Sequence, residues 1–188
     1  MTGIPEQFRR ASEFFGSLVE KIRDDQWSSP TPCTEWDVRQ LVRHLVYEDL
    51  WVPPLFDGAT IEEVGDRFEG DILGGDPKEA WRQAQKGALH AIEEQGAMER
   101  IVHLSWGDEK GEEYATQLAL DHLVHGWDLA RGIGANDRLD PGLVELAYDR
   151  WSAREEMVRG AGVFGDQQRV PDDADTQTKL LALFGRNG

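Results

Sequence analysis

A chain of 188 residues, 39% hydrophobic and with seven tryptophans, carries enough apolar material for a core without a disulfide or structural metal. Its 36 acidic against 20 basic side chains give a net charge of −16, which repels phosphate backbones and anionic lipid and argues against nucleic acid and membrane surfaces as partners. Cys33 is the single cysteine, no apolar run approaches the roughly 20 residues of a membrane span, and the first ten residues lack a secretory pattern, so one cytoplasmic domain over 1–188 is expected.

Helical periodicity dominates the chain. From Pro5, the apolar residues Phe8, Ala11, Phe14, Phe15, Leu18, Val19 and Ile22 fall on one stripe of an amphipathic helix. The stretch Trp27 to Cys33 breaks it with two prolines. A second helix is expected to open with Thr34 as N-cap and to carry the stripe Val38, Leu41, Val42, Leu45, Val46 until Pro53-Pro54 stops it. The acidic, glycine-rich stretch 55–75 reads as a loop with one helical turn. Asp76-Pro77 is a start signal for a helix carrying Trp81, Ala84, Ala88 and Ile92. Ile101 to Trp106 reads as a short extended piece turned by Gly107-Asp108. Helices are then expected over Glu112 to Arg131, from Pro141 to Arg159, and from Asp175 to Phe184. The fold class is all-α, an up-and-down four-helix bundle with short additional helices.

The helix around residue 121 holds the chemistry. Leu118, Asp121, His122, His125 and Leu129 share one face, so three metal-capable side chains interrupt a core-facing stripe. Asp121 and His125 are four residues apart and lie one above the other, which lets both reach adjacent positions on one ion. His122 is a rival partner for His125. A third ligand has to come from another element, and His44, at the edge of the second helix's stripe, is the candidate. Glu48, one turn on, is a fourth ligand or an acceptor behind the first three. His90 and His103 read as solvated or partly buried. Cys33 reads as a packing residue, because His44 lies about 15 Å further along the helix axis.

Two segments carry a resemblance. Residues Pro30-Thr31-Pro32-Cys33-Thr34-Glu35-Trp36-Asp37-Val38 through His44-Leu45 resemble the opening motif of actinobacterial metal-binding proteins related to mycothiol-dependent maleylpyruvate isomerase, within the DinB-like (YfiT-like) superfamily. Asp121-His122-Leu123-Val124-His125-Gly126-Trp127-Asp128-Leu129-Ala130 resembles the family's later motif, and Asp172 through Gly185 its end. The resemblance implies a four-helix bundle holding a divalent metal, usually zinc, on His44, Asp121 and His125. The isomerase has Glu where this chain has Asp121, an arm longer by one carbon. It also has a C-terminal domain that helps bind its thiol cofactor, and none is evident in this chain.

The expected function is a divalent-metal-binding bundle protein acting as a metal-dependent, thiol-linked transferase or isomerase. The alternative is a non-catalytic metal or small-molecule binding protein. The expected cofactors are Zn²⁺, or another first-row ion such as Ni²⁺, and a low-molecular-weight thiol. The expected partner is a small-molecule substrate or thiol, with a homodimer as the alternative to a monomer. The sequence assigns no catalytic residue.

Overall fold

The structure is a computed structural model that describes residues 2–154 and 167–187. It is mostly helical, with one two-stranded sheet among the described residues. The contacts divide the chain into two compact units, Met1–Asn136 and Asp137–Gly188.

In the first unit, α1 (Ile4–Val19), α2 (Val38–Phe56), α4 (Pro77–Glu93) and α5 (Gly111–Ile133) are the long helices, and α3 (Ile61–Val64) is the single turn in the 55–75 connection. The α1 helix packs along α5 and α4, and α2 packs along α4 and α5. The expected extended piece is one arm of a hairpin. Strand β1 (Ile101–Leu104) pairs antiparallel with β2 (Gly107–Lys110), so Gly107-Asp108 opens the second strand instead of forming the turn. His103 pairs across the hairpin with Asp108 at 2.7 Å, and the His90 side chain is 82% exposed.

Two boundaries of α2 differ from expectation. Its N-cap is Asp37, not Thr34. The Asp37 carboxylate accepts from the Gln40 backbone N–H, and the Gln40 side chain accepts from the Asp37 N–H, a reciprocal capping box. Thr34 instead lies in a turn closed by the Trp36 N–H on the Cys33 carbonyl. At the other end Pro53 and Pro54 lie inside the helix. Proline in a helix interior costs about 3 kcal/mol. Here the last turn buries Val52, Leu55 and Phe56, and burial of side chains this size returns about 1.5–3 kcal/mol each.

The α2 and α5 helices run antiparallel, as their contacts show. Near one end Val38 meets Gly132, and near the other Phe56 meets Gly111 and stacks on Tyr114. Gly111 has no room for a side chain, since a β-carbon there would meet the Ala97 carbonyl oxygen and, at 2.9 Å, the Phe56 ring. Among the described residues, the core has two apolar clusters. One gathers Phe15, Leu41, Leu45, Trp81 and Leu129; the other gathers Phe8, Leu55, Phe56, Ile92 and Leu118. Where they meet, both helices turn polar, with Glu48 and Asp49 on α2 and Asp121, His122 and His125 on α5.

In the second unit, α6 (Pro141–Ser152) and α7 (Thr176–Leu183) are capped by Asp140 and Asp175 through side-chain bonds to Leu143 N–H and Thr178 N–H. Asp175 also binds Arg138 at 2.8 Å, and its carboxyl is held down to about 2, first by the hydrogen bond to Thr178. The Gln177 side chain ties α7 to the 137–139 backbone, and Trp151 meets Phe184 edge-on. The expected continuation of α6 over 155–159 lies outside the described residues.

Candidate metal centre

The structure brings His44, Asp121 and His125 together. One ligand atom from each lies within 4.8 Å of the others. His44 Nε2 is 3.1 Å from Asp121 Oδ2, and His125 Nε2 is 3.4 Å from Asp121 Oδ1. The two imidazole rings stand 5.1 Å apart and nearly perpendicular, at 78°. Donors bound tetrahedrally at zinc distances sit about 3.3 Å from one another, and the two separations, each to a different oxygen of Asp121, lie near that spacing.

Second contacts fix the donors. His125 Nδ1 is 2.9 Å from the fully buried carboxylate of Asp128, which leaves Nε2 facing Asp121. The Trp36 ring lies 4.6 Å from the His44 ring and 5.6 Å from the His125 ring. It reaches them because the loop before α2 folds back on the bundle. Val38 N–H bonds the Ser29 carbonyl, Arg39 N–H bonds the Trp27 carbonyl, and the Thr31 hydroxyl donates to the Trp36 carbonyl. Glu48 sits at the margin, its Oε1 4.0 Å from His44 Nδ1.

The electrostatics couple Asp121 to the imidazoles around it. Burial alone would raise the Asp121 carboxyl, but the imidazoles of His125 and His44 overcome it and hold the group well below the usual carboxylate range. Burial alone would lower the His44 imidazole, and the neighbouring Asp121 and Glu48 carboxylates raise it instead. Glu48 is pushed up to about 7, first by burial and then by the Asp121 charge.

His122 does not join the set. Its ring turns toward α1 and α2, with Nε2 3.2 Å from Asp49 Oδ1, so Asp121 is the partner that faces His44 and His125. Three contributors escaped the sequence reading: Asp128, Trp36 and Asp49. Asp128 had a legible signal, since it stands three residues after His125 on the same helix. Trp36 and Asp49 had none, because their roles depend on a loop fold and on helix register.

Comparison with known proteins identifies the family of the chain. The model of the mycothiol maleylpyruvate isomerase N-terminal domain matches residues 8–130, a span that includes His44, Asp121, His125 and Asp128. The chain belongs to this family. It is also 32% identical over 184 residues to two uncharacterized Mycobacterium tuberculosis proteins, MT0763 (strain CDC 1551) and Rv0738 (strain H37Rv); each match covers 95% of this chain and 94% of the relative. No solved structure matches the chain significantly. No described helix is long and apolar enough to cross a membrane.

Cys33, half-buried in the folded-back loop, is not one of the converging donors. It precedes the Asp37 cap by four residues, too far to benefit from the helix dipole, which acts within the first turn. Cys33→Ser is therefore expected to leave metal stoichiometry unchanged, measured by elemental analysis of a variant that stays helical. A substantial drop in bound zinc would make sulfur a ligand.

Proposed function

We propose that this chain is a divalent-metal-binding bundle protein that uses its metal as a thiol-linked transferase or isomerase. His44, Asp121 and His125 are the ligands. The observation that carries the reading is the convergence of three candidate donor atoms from two helices within 4.8 Å of one another. Two imidazoles and a carboxylate suit Zn²⁺, or another first-row ion such as Ni²⁺, better than Mg²⁺ or Ca²⁺. The metal, when bound, supplies Lewis acidity that favours a thiolate at neutral pH or polarises a substrate carbonyl. Around it, Asp128 orients His125, Trp36 packs beside both imidazoles, and Glu48 holds a proton near neutral pH beside His44.

The thiol follows from the family, whose description names mycothiol, and the substrate is a small electrophile. The reading takes α1, α2, α4 and α5 as one DinB-like four-helix bundle, supported by their mutual packing, and places the protein in the cytoplasm. The Trp36 ring, tilted against both imidazoles, narrows access to the centre and favours a second reading, capture of a metal or small molecule at that centre without turnover.

The test is elemental analysis of tag-free protein after incubation with Zn²⁺ and Ni²⁺, followed by turnover assays with a low-molecular-weight thiol and candidate electrophiles. About one equivalent of metal with thiol-dependent turnover is expected. Metal without turnover across the panel selects capture. Protein that takes up no metal refutes both.

A further inference from the structure

Beside the candidate ligands lies a second pair that the proposed function does not use. Asp49 follows Glu48 on α2, and His122 follows Asp121 on α5. Both side chains are completely buried. His122 Nε2 is 3.2 Å from Asp49 Oδ1. That is a hydrogen-bond separation without hydrogen-bond alignment, so both Asp49 oxygens and His122 Nε2 lack a hydrogen-bond partner among the described residues. His122 Nδ1 is 2.8 Å from the Leu118 carbonyl oxygen. A carbonyl only accepts, so Nδ1 carries a proton and Nε2 is the atom turned to the carboxylate. An unprotonated Nε2 and a carboxylate at this distance repel, so the pair requires a proton on one of them. The link is therefore an ion pair or a neutral acid–imidazole pair, and it is fully desolvated. Phe8, Phe15 and Trp81 surround the imidazole, with ring centroids 5.0, 6.2 and 5.8 Å away.

Stability does not account for such a pair, because well-packed apolar residues of similar volume usually serve as well or better. Geometry does. The contacts between α2 and α5 form an antiparallel ladder: Val38 against Gly132, His44 against Asp121 and His125, Asp49 against His122, Phe56 against Gly111. The two outer rungs are apolar and non-directional. A slip of one residue along a helix moves a side chain about 1.5 Å, whereas metal–ligand distances hold to about 0.2 Å. A close, fully buried polar contact one residue from Asp121 and five from His44 resists that slip.

We propose that Asp49 and His122 are positioning residues for the metal centre, their buried link fixing the register of α2 against α5 on which the approach of His44 to Asp121 and His125 depends. This inference rests on the metal reading above.

The test uses the full chain, zinc alone as probe in a chelator-competition titration, and Co²⁺ absorption to report coordination geometry. The variants are Asp49→Leu, His122→Phe, the double substitution and Asp49→Asn. Each single apolar variant is expected to weaken zinc binding about 10–100-fold, the usual effect of removing an outer contact. The double variant, with no orphaned charge, is expected to recover its melting temperature but not its zinc affinity, and to keep an altered Co²⁺ spectrum. Asp49→Asn, whose amide can donate to Nε2, is expected to retain most of the affinity. Zinc affinity that recovers together with melting temperature in the double variant would overturn the proposal, as would unchanged affinity in the singles. Should Asp49→Leu fail to fold, His122→Phe and the double variant decide the matter. A wild-type chain that binds no zinc refutes the metal reading itself and leaves no centre to position, an outcome distinct from loss of the link alone.

Discussion

Replacing His44 or His125 by alanine is expected to drop bound Zn²⁺ from near one per chain to less than about a tenth, because an open three-donor site has no spare ligand. The far-UV circular dichroism is expected to stay mostly helical, since neither side chain builds a helix or a cap. His44 is the only α2 residue in the converging set, so without it both remaining donors come from a single helix. Asp121→Ala is expected to do the same, whereas Asp121→Glu is expected to retain metal, the longer arm being that of the isomerase this chain resembles. Asp128→Ala leaves all three donors but frees the His125 ring, and should weaken binding by about 10–100-fold. His122→Ala is expected to weaken binding similarly yet still load about one zinc at saturation. Elemental analysis at saturating zinc separates these cases. Full occupancy in both histidine-to-alanine variants would remove His44 and His125 from the ligand set.

The second large effect is on pH dependence, which should run in opposite directions with and without metal. In the metal-free chain His44 and His122 are raised, and Glu48 is raised to about 7. For His122 burial acts downward and the Asp49 carboxylate overcomes it. A group that holds its proton more tightly when folded contributes stability below its ordinary pKa and loses it as pH rises through the folded value. The ordinary values are 4.5 for Glu48 and 6.5 for the histidines, so metal-free stability is expected to decline from about pH 5 to pH 8. Asp121 is lowered and works the other way, its contribution present above its ordinary 3.8 and lost as pH falls further. Zinc needs deprotonated imidazoles, and below the histidine range each ligating imidazole costs up to about tenfold in affinity per pH unit, about 1.4 kcal/mol. The rise in melting temperature on adding zinc is therefore expected to be small at pH 5 and to grow steadily to pH 8. Thermal melts with and without zinc across this range measure it. A zinc effect independent of pH would mean that imidazoles do not bind the metal.

Much of the fold was legible because local chemistry dictates it. Asp76-Pro77, Asp140-Pro141 and Asp175 each start a helix as their capping chemistry requires, with the carboxylate accepting from the third residue of the helix. The boundaries of α2 were less legible. Thr34 and Asp37 are both good caps, and the folded-back loop engages Thr34 in a turn. Pro53 and Pro54 are strong breakers in isolation, and the helix continues past them with Val52, Leu55 and Phe56 buried in the core.

The sequence by itself determined which side chains can do the chemistry and on which helices they stand. Asp121, His122 and His125 share one face of α5 because the helical repeat puts them there, and the acid–histidine spacing holds in any context. The tertiary structure decided which of them meet His44. One face of a helix is broad enough to hold both His122 and His125, and the local repeat does not choose between them. The choice falls to the rotation and register of α5 against α2, set by contacts far apart in sequence such as Val38 with Gly132 and Phe56 with Gly111. That packing turns His122 to the buried Asp49 and leaves His125 beside Asp121. It also sets Trp36 beside both imidazoles, a contact made by a loop whose path no periodicity encodes.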